Sequence, residues 1–563
     1  MNGQPDLLNV KNLSFRYEDD EPRIFKDVSF SIGEKETLLL LGPSGCGKST
    51  LCYCVEGLYP EAVEGEMEGE ILFHGEELED FPQGKINQRM GIVFQDPESQ
   101  FCMLTVEDEL AFVLENHKVP REEMPAKIDA ALEKTGLLPY KESLIHVLSG
   151  GQKQKLALAG VLLTEPDLVI LDEPTANLDP VSSTELVQLL KNLQQSQGFS
   201  MIVIEHRLDD WMDITDRCLV FSRSGEVMFD GKPRECFTEH ASYLNEEGVW
   251  LPSPTLAGMK AAAAGIYQGE SLPFTTAELM ERVADPSDLL QKLQPGISDT
   301  PGIRKPLLEM GQVTFSYRQK EILKEIDLNI YEGEFVAILG ANGSGKSTLS
   351  KVMCGILSPS SGKISFGGKP LGKWKETELW KRIGYVFQNP EHQFITDSAY
   401  DELAFGLAQQ GFSQEEIAPK VRAMLKRLNL LEAADRHPFS LSQGQKRRLS
   451  VTTMLSDQNG LLILDEPTFG QDARTSRELM NLLEDRRKAG GAVVMITHDM
   501  ELVHKYADRA VVLGSGDILF NDAPSLLWER KKILQEARLK LPFAVELEQE
   551  IRTGDEHHVT AQS

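Results

Sequence analysis

A domain-sized internal repeat limits what this sequence can fold into more than any other feature. The residues around Gln95 and Glu173 recur around Gln388 and Glu466, in each case 293 positions further along the chain. Solenoid proteins repeat over only about 20 to 50 residues, so this period indicates duplication of a whole domain. We therefore expect two copies of one fold, in agreement with a length of 563 residues, which is too long for one ordinary core.

Composition places the chain among soluble globular proteins. Hydrophobic residues make up 41% and charged residues 26% of it, as in proteins with packed cores. The net charge of -29 makes nucleic acid a poor expected partner, because affinity for DNA or RNA comes largely from neutralising phosphates. No apolar run approaches the roughly 18 to 20 residues of a membrane-spanning helix, and the first residues lack a signal-peptide pattern. We expect a cytoplasmic location, which also suits seven scattered cysteines.

Short apolar runs alternate with longer helical patterns in each copy. Such runs predict buried strands of a mainly parallel sheet with helices on its faces, which is an α/β fold. They lie at 37–41, 168–171 and 201–204 in the first copy and at 335–339, 461–464 and 493–496 in the second.

The remaining sequence predicts a linker and a tail. Six prolines between positions 252 and 301 mark an inter-domain linker, which contains a weak helical pattern from Thr275 to Leu293. The last residues predict an acidic, frayed terminus. The predicted limits are a first domain at 1–245, a linker at 246–305, a second domain at 306–541 and an acidic tail at 542–563.

A glycine-rich loop follows the first of these apolar runs in each copy and precedes a helical pattern, which is the context of a phosphate-binding loop. Glycines let successive N–H groups turn toward phosphate oxygens, and the helix N-terminus adds partial positive charge. Lys48 and Lys346 would reach the outer phosphates, while Ser49 and Ser347 would ligate Mg²⁺. The predicted ATP-binding residues of the loops are Gly42, Pro43, Ser44, Gly45, Cys46, Gly47, Lys48, Ser49 and Thr50, and then Gly340, Ala341, Asn342, Gly343, Ser344, Gly345, Lys346, Ser347 and Thr348.

Adjacent carboxylates end a later apolar run in each copy. We expect Asp172 and Asp465 to hold Mg²⁺ and the neighbouring Glu173 and Glu466 to orient the attacking water. One such pair could be solvated acids at a strand end, but two pairs in register favour chemistry.

A histidine also follows a β-branched apolar run in each copy. His206 and His498 come 33 and 32 residues after the respective glutamates, and from a strand end they could approach a terminal phosphate. A single such histidine is more often structural, but its repetition favours a catalytic role. We therefore predict that Glu173, His206, Glu466 and His498 are catalytic.

A further motif gives the chain its resemblance to a known family. Leu-Ser-Gly-Gly-Gln ends at Gln152 and Leu-Ser-Gln-Gly-Gln ends at Gln445, and these segments resemble the signature of ABC transporter ATP-binding subunits. The resemblance covers nearly the whole chain except the linker and tail. It implies that the two halves pair within one chain and that each signature meets ATP held by the other half. The signature residues are Ser149, Gly150, Gly151, Gln152, Ser442, Gln443, Gly444 and Gln445.

The family resemblance extends to smaller features. Tyr17 and Tyr317 look like the aromatic residue that stacks on adenine, although a core or edge aromatic is the competing interpretation. Gln95 and Gln388 look like the glutamine that senses Mg²⁺ and the membrane partner. The aspartates that look like those of the family's interface loop are Asp179 and Asp472.

The resemblance implies an ATP hydrolase with an α/β fold. It predicts two tandem ABC-type P-loop ATPase domains, each with a mainly parallel sheet core, a β-subdomain and a helical signature subdomain. ATP and Mg²⁺ are the expected substrate and cofactor.

The segments after both glutamines are similar to the energy-coupling-factor branch of importers, whose members include ATPases for thiamine-precursor and cobalt uptake. That similarity implies import of a vitamin, vitamin precursor or metal ion. The expected partners are a transmembrane coupling protein and a substrate-capturing membrane protein, and the expected location is peripheral, at the cytoplasmic face of the cell membrane. Apolar residues in 94–112 and 387–405 could form a groove for a partner helix, or could be ordinary core.

Two other functions stay open from the sequence. A soluble tandem ABC ATPase acting on ribosomes or nucleic acid would also lack a membrane segment, but the linker has an excess of acidic residues, the wrong sign for gripping RNA. A scaffold with inactive sites would have lost catalytic groups, yet both glutamates, histidines and lysines are present.

Overall fold

The structure, a computed structural model, divides into two compact units that meet along the chain at Ala284 and Asp285. It describes residues 6–18, 22–59, 65–82, 84–294, 305–318, 320–428, 430–455, 460–468 and 470–561, without the side chains of 410, 443 and 553–561. Residues 295–304 of the predicted linker and the last two residues of the predicted tail lie outside this description.

The first unit contains ten strands and nine helices among its described residues. The strands are β1 (Leu8–Arg16), β2 (Phe25–Ile32), β3 (Thr37–Leu41), β4 (Glu66–Phe73), β5 (Glu76–Glu77), β6 (Met90–Val93), β7 (Leu168–Asp172), β8 (Ser200–Ile204), β9 (Arg217–Phe221) and β10 (Val227–Gly231). The helices are α1 (Lys48–Glu56), α2 (Val106–Asn116), α3 (Met124–Thr135), α4 (Gly150–Leu162), α5 (Pro180–Gln197), α6 (Pro233–Glu239), α7 (Ala241–Glu247), α8 (Ser253–Ala263) and α9 (Thr276–Arg282).

Two sheets and a helical layer form the first unit. A six-stranded sheet has the order β10-β9-β3-β8-β7-β6 and is parallel except for β10. Every residue of β3, β7 and β8 is buried, which explains why these strands are continuous apolar runs. An antiparallel sheet has the order β2-β1-β4-β5. Helices α2, α3 and α4 share a separate apolar cluster.

The second unit repeats this architecture. Its strands are β11 (Pro306–Tyr317), β12 (Lys320–Tyr331), β13 (Phe335–Leu339), β14 (Ser361–Phe366), β15 (Lys369–Pro370), β16 (Ile383–Val386), β17 (Leu461–Asp465), β18 (Ala492–Ile496), β19 (Arg509–Gly514) and β20 (Asp517–Asp522). Its helices are α10 (Pro286–Leu293), α11 (Lys346–Met353), α12 (Glu376–Leu379), α13 (Ala399–Gln410), α14 (Gln414–Arg427), α15 (Gln443–Met454), α16 (Ala473–Lys488), α17 (Met500–Tyr506), α18 (Pro524–Leu527), α19 (Lys531–Glu536) and α20 (Phe543–Ala561). The sheet orders are β16-β17-β18-β13-β19-β20 and β12-β11-β14-β15.

Much of the predicted linker is helical. Helices α8 and α9 lie within the first unit, where Leu256, Met259, Leu272 and Phe274 pack on its main core. The Oγ1 atom of Thr255 donates to the carbonyl of Pro273 at 2.7 Å and joins the two ends of this segment. The predicted limits of the domains and the linker stay predictions.

A helix, α20, lies where the sequence predicted a frayed tail. Ala544 and Leu547, three positions apart on α20, are buried. Val545 packs on the cluster beneath them. This spacing gives the helix one apolar face, which stabilises it against a packed surface. None of the helices in the described ranges is both long and apolar enough to cross a membrane.

Candidate functional site

Each glycine-rich loop joins a buried strand to a helix. In the first unit β3 ends at Leu41 and α1 begins at Lys48, with Gly47 as a left-handed N-cap at φ 96°. A Cβ atom at Gly47 would lie 2.8 Å from Cγ2 of Ile24, so both backbone conformation and space favour glycine there. The equivalent Gly345 has φ 104° at the start of α11.

Each loop lysine donates hydrogen bonds to carbonyl groups of its own loop. Lys48 Nζ donates to the carbonyls of Gly42 at 2.8 Å and Pro43 at 3.0 Å. Lys346 Nζ donates to Gly340 at 2.8 Å and to Ala341 beside it. Both ammonium groups are therefore held over the mouth of a loop at the N-terminus of a helix, where anions bind.

An oxygen-rich pair lies beside each loop. Ser49 Oγ donates to Asp172 Oδ1 at 3.1 Å, and the Tyr53 hydroxyl donates to Oδ2 at 3.4 Å. Burial, and then the charge of Glu173, raise the pKa of Asp172 to about 6, although Ser49 and Lys48 act in the opposite direction. Hydroxyl and carboxylate oxygens are ligands that Mg²⁺ prefers.

The second unit builds a similar pair. Ser347 forms a side-chain hydrogen bond with Asp465, and burial raises the pKa of that carboxyl group. Ser350 and Tyr385 form a hydrogen bond of 3.1 Å nearby, and the charge of Asp465 raises the pKa of Tyr385 further above the increase caused by burial. The serine and aspartate oxygens in both units therefore fit Mg²⁺ as ligands.

The next carboxylate in each unit has an unusual backbone. Glu173 has φ 47° and Glu466 has φ 49°, a left-handed conformation that is uncommon outside glycine. Their N–H groups donate to the carbonyls of Ile204 at 2.9 Å and Ile496 at 3.0 Å on the adjacent strands. These hydrogen bonds stabilise the strained backbone conformation. Strain of this kind is concentrated at functional sites, where it aims a side chain.

The strand-end histidines contact these carboxylates. His206 Nε2 lies 3.0 Å from Glu173 Oε1, and Gln95 Nε2 donates to Glu173 Oε2 at 2.7 Å. Burial alone would raise the pKa of Glu173, but His206, Lys48 and Gln95 together bring it below its ordinary value. Burial would lower the pKa of His206, but the charge of Glu173 raises it above its ordinary value. The contact therefore favours the charged form of each side chain.

The second unit keeps the histidine contact but not the glutamine contact. His498 Nε2 lies 3.2 Å from Glu466 Oε1. The side chain of Gln388 is exposed, and no hydrogen bond joins it to Glu466 in the part of the chain that the structure describes. The two glutamines thus have different surroundings despite their equivalent positions.

The predicted adenine-stacking tyrosines also differ. The Tyr17 hydroxyl lies 2.9 Å from Thr50 Oγ1, so this residue borders the first loop, and its ring meets Phe15 edge to face. Tyr317 is half exposed and meets Phe315 in the same way. Their contact with adenine stays a prediction.

The signature serines begin helices. Ser149 Oγ accepts from Gln152 N at 3.3 Å, and Gln152 Oε1 accepts from Ser149 N at 2.8 Å. Ser442 and Gln445 form the same reciprocal cap, which satisfies N–H groups at the start of each helix.

Gly150 and Gln443 are the first residues of α4 and α15. Gln443 therefore adopts the same helical backbone as the glycine, and its side chain lies outside the described residues. Gly151 and Gly444 follow within the first helical turn. Their role in ATP binding stays a prediction.

The predicted interface-loop aspartates lie at the starts of long helices. Asp179 caps α5 and accepts from Ser182 N at 2.8 Å, while Asp472 is buried directly before α16. A cap is an ordinary structural role for aspartate, so their function stays a prediction.

Sequence reasoning gave no chemical role to Glu205, which precedes His206. Glu205 Oε2 accepts from Thr175 Oγ1 at 2.5 Å, and Oε1 accepts from the N–H of His206 at 2.8 Å. Its place in the second unit is taken by Thr497, whose hydroxyl accepts from Asp499 N. The sequence feature that could have indicated Glu205 is a carboxylate directly after an apolar run. A buried carboxylate needs a hydrogen-bonding or charged partner.

The family model for ABC transporters matches residues 25–176 and 323–469. These segments make up more than half of the chain and contain both phosphate-binding loops and both carboxylate pairs. The chain belongs to the ABC transporter family. The fold class predicted from the sequence is confirmed, and the two ABC domains are ATP-binding domains that hydrolyse ATP.

Relatives of this ABC protein match it over nearly its full length. "Putative HMP/thiamine import ATP-binding protein YkoD" of Bacillus subtilis (strain 168) is 45% identical over 562 residues, which is 99% of each chain. A "Putative ABC transporter ATP-binding protein" of Methanosarcina mazei is 34% identical and covers 97% of this chain and 94% of its own. The solved cbiO1 of Clostridium perfringens, part of the ABC transporter complex cbiONQ, is 35% identical over 43% of this chain and 99% of its own, with a TM-score of 0.37.

Proposed function

We propose that this ABC protein uses ATP hydrolysis to energise import of a small solute through partner membrane proteins. The observation that carries the proposal is the duplicated contact of a strained glutamate with a strand-end histidine, at 3.0 Å in one unit and 3.2 Å in the other. Two intact pairs favour an ATP-driven machine over a scaffold.

In each unit the loop lysine binds the outer phosphates, and the glutamate orients the attacking water. Phosphoryl transfer depends mainly on positioning and on charge stabilisation, and the left-handed backbone of Glu173 and Glu466 supplies a fixed direction for the carboxylate. His206 and His498 hold these carboxylates in place, and in the first unit His206 lowers the pKa of Glu173. Ser49 with Asp172, and Ser347 with Asp465, would hold Mg²⁺ near Gln95 and Gln388, and Mg²⁺ stabilises charge on phosphate oxygens.

The solute is proposed to be a vitamin, vitamin precursor or metal ion. The 45% identical relative from Bacillus subtilis carries the words HMP/thiamine import in its name, which makes a thiamine precursor the first solute to test. A transmembrane coupling protein and a substrate-capturing membrane protein are the proposed partners. The chain would then lie at the cytoplasmic face of the membrane as a peripheral protein.

Each unit has exposed apolar side chains, which supports the proposal that it binds a protein partner. In the first unit Leu104, Leu144 and Val147 are 76%, 43% and 64% exposed, and the N–H of Ile145 donates to the carbonyl of Leu104 at 2.9 Å. We name these three exposed side chains the apolar patch. Patches of exposed apolar residues mark interaction sites.

The second unit exposes Ile395, Phe405 and Phe439 in the corresponding layer. Leu110 and Leu403, which the sequence offered either as groove or as core, are fully buried. The predicted groove therefore has fewer available side chains than the sequence suggested, and the apolar patch adds others.

Purification of the tagged full chain from detergent-solubilised membranes tests this proposal. The expected result is co-purification with integral membrane proteins whose genes are needed for uptake of one solute, and ATP turnover that changes when that solute is present. Tight binding to RNA or DNA at physiological salt, with no membrane partner, would instead support the soluble tandem ATPase.

A further inference from the structure

The carbonyl group of the glutamine is held by different elements in the two units. In the first unit Asn177 Nδ2 donates to the carbonyl of Gln95 at 3.3 Å. Asn177 lies in the loop that follows Glu173. In the second unit the guanidinium of Arg447, on the signature helix α15, donates to the carbonyls of Gln388 at 2.5 Å and Phe387 at 2.8 Å.

Different residues at equivalent positions of the two copies explain why different elements hold the glutamine carbonyl. The repeat of 293 residues places Gly470 where the first copy has Asn177, so the second unit lacks that amide. It also places Arg447 where the first copy has Gln154. Gln154 is buried, and its Nε2 atom has no hydrogen-bond partner in the described ranges. One unit therefore has a donor on the catalytic loop, and the other has a donor on the signature helix.

A second glutamine in each segment also contacts different elements in the two units. Gln393 Nε2 donates to the carbonyl of Ser450 at 2.7 Å and to Thr453 Oγ1 at 2.6 Å, both on α15. The equivalent Gln100 instead donates to the carbonyl of Ile92 at 3.0 Å and accepts from Phe94 N at 3.1 Å. Ala157 and Gly160 replace Ser450 and Thr453 in the first copy, so α4 offers no hydroxyl groups there.

One ion pair between the glutamine segment and the signature helix is found in both units. Lys153 Nζ lies 2.5 Å from Glu98 Oε1, and Lys446 Nζ lies 2.5 Å from Glu391 Oε1. These ion pairs tie each glutamine segment to the first turn of its signature helix. The additional attachments to α15 are therefore particular to the second unit.

We propose that Arg447 is a positioning residue that makes the glutamine segment 387–394 and the signature helix α15 move as one body in the second unit. In the first unit the segment 94–101 instead moves with Glu173, because Asn177 and the side chain of Gln95 hold it there. A motion imposed on Gln388 is passed to Ser442, whereas a motion imposed on Gln95 is passed to the catalytic carboxylate.

The chemistry of arginine suits this role. Its planar guanidinium presents several donors in a fixed geometry and can bind two carbonyl groups at once. Burial lowers the pKa of Arg447 to about 10, while Glu466 and Asp465 act to raise it, so the group stays charged at neutral pH. Hydrogen bonds to a charged donor are stronger than those between neutral groups.

Hydrogen–deuterium exchange of the full chain without nucleotide tests the proposal. Arg447→Gln should accelerate exchange roughly 10-fold or more in peptides covering 387–394 and 441–446, because hydrogen bonds to a charged group are lost. Arg447→Lys should recover part of the protection. Asn177→Ala should accelerate exchange in 94–101 and leave 148–153 unchanged. Gln154→Met is the matched control and should leave both segments unchanged.

Two patterns would overturn the proposal. One is unchanged exchange in 387–394 of Arg447→Gln. The other is an equal acceleration across the whole second unit, which would show only a loss of stability. If Arg447→Gln does not fold, Ser450→Ala combined with Thr453→Ala removes the two hydrogen bonds that join Gln393 to the hydroxyl groups of α15 and leaves its bond to the Ser450 carbonyl. This variant should accelerate 387–394 selectively, and no acceleration there would reject the common motion.

ATP turnover gives a second readout that rests on the proposed roles of Gln388 and Ser442. Arg447→Gln should lower kcat roughly 3- to 10-fold and change KM for ATP by less than about 2-fold, because the hydrogen bonds described for Arg447 go to the carbonyls of Phe387 and Gln388 and not to the loop of Lys346. The exchange result does not depend on those roles. Altered exchange with unchanged turnover would therefore reject the roles of the motifs and keep the positioning by Arg447.

Discussion

The Nε2 atom of His206 lies 3.0 Å from the Oε1 atom of Glu173, and this contact lowers the pKa of Glu173 and raises that of His206. The other carboxylate oxygen accepts a hydrogen bond from Gln95. Both oxygens are therefore oriented by protein groups, which is the preorganisation expected of a residue that positions a reactant. In the second unit His498 lies 3.2 Å from Glu466, so the histidine contact is kept while the glutamine contact is not.

We expect the double variant Glu173→Gln, Glu466→Gln to bind ATP and to hydrolyse it at least about 100-fold more slowly than the parent. An amide keeps the size of the side chain but cannot polarise water as a carboxylate does. The phosphate contacts of Lys48 and Lys346 are unchanged. ATP binding by equilibrium titration and phosphate release would check this, and near-normal turnover would show that the carboxylates have other roles.

The two glutamines should respond unequally to truncation. Gln95→Ala removes a hydrogen bond of 2.7 Å to Glu173, so we expect kcat to fall roughly 3- to 10-fold. Gln388→Ala removes an exposed side chain and should have a smaller effect on the isolated chain. Steady-state kinetics of both variants would check this, with Gln88→Ala, at an exposed position before β6, as a control. Equal losses would contradict unequal attachment.

The proximity of Glu173 and His206 follows from sequence features, because the sheet brings the ends of their strands together. Glu173 and His206 both follow apolar runs, and parallel strands place their carboxyl ends at one edge. Since β7 and β8 are neighbours, the two side chains meet. The same reasoning holds for Glu466 and His498 on β17 and β18.

The contact of Arg447 with Gln388 could not be predicted in this way. The two residues are 59 positions apart, and they meet because α15 packs beside the end of β16 rather than through any local pattern. A basic residue on a helix usually predicts a solvated face. The helix α20 escaped prediction for a similar reason, since its stabilising surface comes from distant residues.

Glu56 gives a pH dependence that is independent of the ATP sites. This last residue of α1 is 7% exposed, and its Oε2 atom has no hydrogen-bond partner in the described part of the chain. Burial raises its pKa from 4.5 to about 8. Between these values the folded state holds a proton that the unfolded state releases. The stability contributed by this group therefore falls as pH rises through that window, by ~1.4 kcal/mol per pH unit at most.

We expect Glu56→Gln to remove this slope, so that its stability relative to the parent increases from pH 5 to pH 8. Calorimetric melting at several pH values would measure the difference. Glu133→Gln changes an exposed glutamate on α3 and should give a curve parallel to that of the parent. A parallel curve for Glu56→Gln as well would mean that Glu56 is hydrated in solution.

The apolar patch should be needed for membrane partners and not for folding. Leu104 and Val147 extend mainly into solvent, so replacing either with aspartate costs little packing. At an interface with a membrane protein the same change would bury an unpaired carboxylate. We expect Leu104→Asp combined with Val147→Asp to reduce co-purification of membrane partners about 10-fold or more.

Controls for the patch variant separate partner binding from stability and catalysis. Its melting temperature and its ATP turnover as an isolated chain should match those of the parent. Met228→Asp changes another partly exposed apolar residue, on β10, and should retain the membrane partners. If the patch variant keeps its partners while Met228→Asp loses them, the partner binds the face that carries β10, because a buried carboxylate weakens binding only where it lies within an interface.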